Sequence, residues 1–99
     1  MRTRSSTFPD RATAQWCTQQ VVTRNEQAVH HWLAQGTRQR LTIEAAWPSR
    51  EQPVGRVLLQ AMMLSGREPV DVWAARVTLK RDASRPHGFV VHTTCPIYL

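Results

Sequence analysis

The sequence predicts an α+β domain, with two N-terminal helices packed on a curved antiparallel sheet of about four strands. Two periodicities and their order lead there. Apolar residues recur three and four apart early in the chain, at Ala14, Cys17 and Val21. Beyond residue 40 they alternate in steps of two, at Leu41, Ile43, Ala45 and Trp47, and again at Trp73, Ala75, Val77 and Leu79. Helical patterning therefore comes first and strand patterning after it, which separates the two layers along the chain.

Residues 1–9 are polar up to Phe8-Pro9 and suit an extended lead-in. Asp10 is an N-cap for a first helix over residues 11–23, because a short carboxylate accepts from the unpaired amides of a first turn. Asn25 reads as a second N-cap, opening a short helix through Val29, Trp32 and Leu33 that Gly36 stops at C′. Residues 41–47 form a strand, and Pro48 to Pro53 a polar loop. Val54 to Met63 is a second, mostly apolar strand, and Leu64 to Pro69 a turn around Ser65-Gly66. Val70 to Lys80 is a third strand, with Arg76, Thr78 and Lys80 opposite its apolar set. Residues 81–87 form a hairpin-type loop, Phe89 to Cys95 the last strand, and residues 96–99 a tail. The whole chain, 1–99, is one domain, and 41% hydrophobic residues with four Trp suffice for a core.

The formal charge is +6, and twelve of the thirteen cations are Arg, Lys80 being the exception. A guanidinium binds phosphate in a bidentate fork, so the balance suits a polyanion such as nucleic acid. A GC-rich coding sequence also favours Arg over Lys, so composition alone leaves both readings open. No apolar run approaches the ~18 residues of a membrane span. No apolar stretch follows Met1-Arg2-Thr3-Arg4, so no signal peptide is expected. Cys17 and Cys95 form no Cys-x-x-Cys pair and read as free thiols. His30 and His31 are adjacent and point ~100° apart on a helix, so they do not chelate together. We expect neither a metal nor a cofactor.

A set of short motifs appears in a particular order. It runs Ser6-Thr7-Phe8, Asp10, Thr13-Ala14, Asn25, Val29-His30-His31-Trp32-Leu33, Leu41-Thr42-Ile43 and Val54-Gly55-Arg56. It continues with Val77-Thr78-Leu79-Lys80-Arg81-Asp82, Gly88-Phe89 and Thr93-Thr94-Cys95-Pro96. This order resembles the bacterial pancreatic-ribonuclease-like domain at the C-termini of contact-dependent-inhibition and other polymorphic toxins. The resemblance implies a ribonuclease A-like fold and metal-independent RNA cleavage, with tRNA among the substrates. In that chemistry the ribose 2′-hydroxyl attacks phosphorus and leaves a 2′,3′-cyclic phosphate. It also implies RNA and a cognate immunity protein as partners, and action in the cytoplasm of a target cell. Family members place a His and then an Arg on an N-terminal helix before the Ser-Thr-Phe motif, and the sequence here starts just before that motif. The sheet surface such a helix covers is then an expected homodimer contact. Family members also carry a Thr and a Tyr two apart on the last strand. Thr93 stands at the first position and Cys95 at the second.

Thr93 and Cys95, at i and i+2, share a strand face, and a threonine hydroxyl can donate to a phosphate oxygen. His92 is the histidine beside them, on the opposite face unless a bulge intervenes. The candidate catalytic residues are thus Thr93, His92 and Cys95. The candidate phosphate ligands are Arg4, Arg56, Arg76 and Lys80. His30, His31 and His87 read as solvated, and Trp47 and Trp73 as core. One reading is an endoribonuclease. A second is a relative that keeps the fold and binds RNA or an immunity protein without cutting. A third is an interaction module whose likeness to the family is accidental.

Overall fold

The computed structural model describes residues 3–59 and 68–98. Its elements are β1 (Thr3–Thr7), α1 (Arg11–Arg24), α2 (Glu26–Gln35), β2 (Arg40–Ala46), β3 (Gly55–Leu59), β4 (Val70–Val72), β5 (Ala74–Arg81) and β6 (Phe89–Ile97). The architecture is α+β, and the strands form two antiparallel sheets of three, ordered β1-β3-β4 and β2-β5-β6. The expected lead-in contains β1, which pairs with β3. The expected tail contributes Pro96 and Ile97 to β6. The rest of the expected 54–63 strand, and residues 64–67 of the turn after it, lie outside the described residues.

The expected 70–80 strand is divided at Trp73, because the chain changes sheets there. The carbonyl of Val72 accepts from Val54 N–H at 2.9 Å, and that of Trp73 from Trp47 N–H at 2.7 Å. Successive peptide groups thus pair on different sides. The sheets also meet where Gly55 lies against Pro96. A Cβ on Gly55 would come within 2.7 Å of the Pro96 ring and of the Thr7 carbonyl oxygen.

Asp10 caps α1 as expected, accepting from Thr13 N–H at 2.7 Å, and this bond holds its carboxyl below the ordinary carboxylate range. Asn25 stands before α2 without capping it. Its side-chain amide donates to the Val21 and Glu44 carbonyls at 2.8 and 2.9 Å, tying the end of α1 to β2. Gly36 ends α2 as expected, in an extended conformation with φ −72°. The carbonyls at that helix end are served by Arg81. Its guanidinium donates to Trp32, Gly36 and Arg38 carbonyls and lies 5.0 Å from the Trp32 ring centroid.

The main core joins Cys17 and Val21 of α1, and Val29 and Trp32 of α2, to Ile43, Ala75, Val77 and Leu79 of the β2-β5-β6 sheet. The helices therefore cover one face of that sheet. A small second cluster, Val57 and Val72 with Val70 against it, lies within the β1-β3-β4 sheet. Among the described residues the exposed large hydrophobics are Val91 and Tyr98, near opposite ends of β6. No described helix is long and apolar enough to cross a membrane.

Candidate active site

Residues paired across an antiparallel ladder share a face. On the side of the β2-β5-β6 sheet away from the helices, the register produces four rows. They are Arg40–Lys80–Val90, Thr42–Thr78–Thr93, Glu44–Arg76–Cys95 and Ala46–Ala74–Ile97. Rows two residues apart on a strand are separated by ~7 Å. The face thus runs from cations, through hydroxyls, to an ion pair and then an apolar end.

Thr93 reaches this face because of a bulge in β6. Thr93 pairs with Thr78 and Val91 with Leu79, so His92 has no partner on β5. Phe89 packs on the helix-side core, and the Thr94 hydroxyl lies 2.9 Å from that of Thr18 on α1. Those two residues are an odd number of positions apart, so plain alternation cannot put both on the helix side. The extra residue switches the phase. The bulge that the sequence left open is present, so alternation across Thr93 does not assign His92 to the opposite face. His92 and Thr93 are exposed, and Cys95 is half-buried.

The Thr42 and Thr78 hydroxyls are 3.2 Å apart, beside Thr93. Arg76 donates from Nε to the Glu44 carboxylate at 2.7 Å, with its Nη2 also 2.7 Å away. Arg40 and Lys80 are exposed and directly opposed, and among the described residues neither has a carboxylate within ion-pair distance. Opposed like charges are unfavourable unless an anion joins them.

The apolar row opens into a hollow of about 390 Å³, lined by Ala46, Ala74 and Ile97 together with Asp71, Trp73 and Tyr98. Trp73, expected in the core, is half-buried and lines this hollow, and its buried indole N–H has no partner. Across the rim, Arg56 Nε lies 3.4 Å from the Asp71 carboxylate.

The family model for the Bacterial CdiA-CT RNAse A domain matches residues 1–96. The chain belongs to that family. The crystal structure of a CdiA-CT/CdiI complex from Y. kristensenii 33638 is similar in fold. The match has a TM-score of 0.83 at 23% identity, covering 99% of this chain and 80% of that one. Among curated proteins no relative matches.

In this CdiA-CT RNase A domain, Thr93, Cys95, Arg76 and Lys80 come together on one sheet face. Arg56 stands on the other sheet and reaches that face only through Asp71 at the hollow. Arg4 lies on β1, and its side chain is outside the described residues. His30 and His87 line a separate groove beside α2 with Leu33 and Phe89. Both cysteines are free. Among the described residues no group of three or more His, Cys, Asp or Glu side chains is placed to hold a metal ion. Three residues escaped the sequence reading. Arg40 was legible, since it alternates with Thr42 and Glu44. Asp71 and Tyr98 were not, because the division at Trp73 and the extension of β6 bring them in.

Proposed function

We propose that the open face of the β2-β5-β6 sheet seats an RNA strand and that the domain cleaves it by transfer to the 2′-hydroxyl. The row order supports this reading. A cation pair, a hydroxyl row, the Glu44–Arg76 ion pair and an apolar hollow stand in line, which suits a neighbouring phosphate, the scissile phosphate and, past the ion pair, a base. In the reaction the 2′-oxygen bonds to phosphorus as its proton leaves to a base. The bond from phosphorus to the 5′-oxygen then breaks, and that oxygen takes up a proton. The products are a 2′,3′-cyclic phosphate and a free 5′-hydroxyl.

Thr93 donates to a non-bridging oxygen as charge builds there. Arg40 and Lys80 hold the adjoining phosphate, while Arg76, beside Cys95, is held by the Glu44 carboxylate. His92 exchanges the proton, being the imidazole beside Thr93 on the same bulged strand. Cys95 supplies a weak donor where the family carries Tyr. DNA lacks the attacking hydroxyl and is not cut.

The test is incubation of the protein with tRNA in EDTA. Fragments ending in 2′,3′-cyclic phosphate support the reading, and intact tRNA at high protein concentration opposes it. A second reading follows from the neighbour's being a complex with CdiI. The same cationic face then takes an acidic immunity protein, which blocks RNA in the cytoplasm of a cell that makes it. Such a protein would compete with RNA for binding.

A further inference from the structure

We propose that Arg24 and Arg50 form a second phosphate-binding site, around the end of β2 from the open face, for RNA extending beyond the scissile linkage. The ligand class rests on the RNA reading above; the site itself rests on a stack of four side chains. The Arg50 guanidinium lies 4.9 Å from the Trp16 ring centroid. Trp16 and Trp47 are 5.1 Å apart and tilted by 49°. Arg24 closes the far side, 5.6 Å from the Trp47 ring. The stack joins the body of α1 at Trp16 and its C-terminal residue Arg24 to the β2–β3 connection.

Each guanidinium is also pinned through Nη1. Arg24 donates to the Ala46 carbonyl at 2.7 Å, and Arg50 to those of Gln52 and Pro53 at 2.8 and 3.0 Å. Among the described residues nothing accepts from Nε–H or Nη2 of either, and these donors have the fork geometry that matches phosphate. Among the described residues neither Arg has a carboxylate within 4.0 Å, unlike Arg56, Arg76 and Arg85. Two cations are therefore ordered in advance with no ion pair closing either fork, and the Asp10 carboxylate lies beyond ion-pair distance of Arg50 while still feeling its charge. Such preorganisation lowers the entropy cost of holding an anion.

Position identifies the anion. The hollow between these arginines shares Ala46 and Pro48 with the hollow at the apolar end of the open face. A strand leaving that face over Pro48 arrives between Arg24 and Arg50. Trp47 is only 6% exposed and half-buried Trp16 carries the Arg50 guanidinium over its ring, so the stack offers an incoming partner charge ahead of bare indole. That favours a polyanion over a protein knob.

The test uses a single-stranded 2′-deoxy oligomer of about twelve nucleotides, which carries the phosphates but resists cleavage. The double variant Arg24→Gln/Arg50→Gln keeps a planar amide on each indole and removes both charges. Its affinity for the oligomer should fall roughly ten-fold or more, with the salt slope shallower by about 0.7 per lost contact. Cleavage of a dinucleotide should stay at the parent rate, so a failure of the nuclease reading leaves the binding arm intact. In the parent protein, the oligomer should shift the Arg24 and Arg50 Nε–H resonances. Unmoved affinity and slope, or unmoved resonances, overturn the proposal. So does an equal loss on the dinucleotide.

Discussion

Removing His92 from β6 should leave Thr93 on the open face, because Thr93 would then follow Val91 in regular alternation opposite Thr78, as it already pairs. His92 is the extra residue of the bulge, and its removal should only straighten the strand. The kinship of Thr93 and Cys95 was legible, because i and i+2 share a face on either side of a bulge. The bulge itself was not. Nothing in Val90-Val91-His92-Thr93 marks it, and it is set by pairing with β5 and by the Thr18–Thr94 contact. Cys95 is the residue with most to gain. Cys95→Tyr supplies the stronger phenolic donor that the family carries, and should raise the rate of RNA cleavage by about ten-fold. Fragment release from tRNA measures this, and an unchanged rate places residue 95 outside the chemistry. Cys17 behaves oppositely, for burial pushes its thiol up to about 11. At pH 8 an alkylating reagent should modify half-buried Cys95 and spare Cys17, as mass spectrometry of the labelled peptides will show. The sign of the linkage is also fixed. Between pH ~9 and ~11 the unfolded thiol ionises while the folded one stays protonated, so stability falls as pH rises through that window.

At the scale of elements, the two helices, β2 and the start of β6 were readable from periodicity and caps. The division of the sheet was not, because the shift of apolar phase from Val70 and Val72 to Trp73, Ala75 and Val77 does not by itself say which partners each half takes. Its cause lies in partners distant in sequence, Val54 and Trp47, which take consecutive carbonyls for different sheets. The same division places Asp71 and Trp73 at the hollow, and hence the apolar end of the candidate site. Arg81 was equally hidden. It reads as the first residue of a hairpin-type loop, yet its guanidinium closes the end of α2. Arg81→Lys keeps the charge and loses the planar fork, so it should destabilise the fold by about 2 kcal/mol. Urea denaturation measures this. A midpoint equal to the parent's would mean that water serves those carbonyls as well.

Taken whole, the molecule has one sheet face sealed by helices and the other lined with cations and hydroxyls. A charge of +6 acts over that geometry. RNA affinity should therefore drop steeply between ~50 and ~200 mM salt, by an order of magnitude or more, in a filter-binding titration. A flat salt response would mean that the arginines do not touch phosphate. The order of the rows invites a sharper question, whether one threonine oxygen meets the linkage that breaks. Single-turnover cleavage of a defined RNA by Thr93→Ala and Thr93→Ser, beside the parent, asks this most directly. We predict a loss of ~10²-fold or more in the alanine variant, and substantial recovery in the serine variant, which restores the hydroxyl. Parent-like cleavage by Thr93→Ala, with the same cyclic-phosphate ends, would contradict the account.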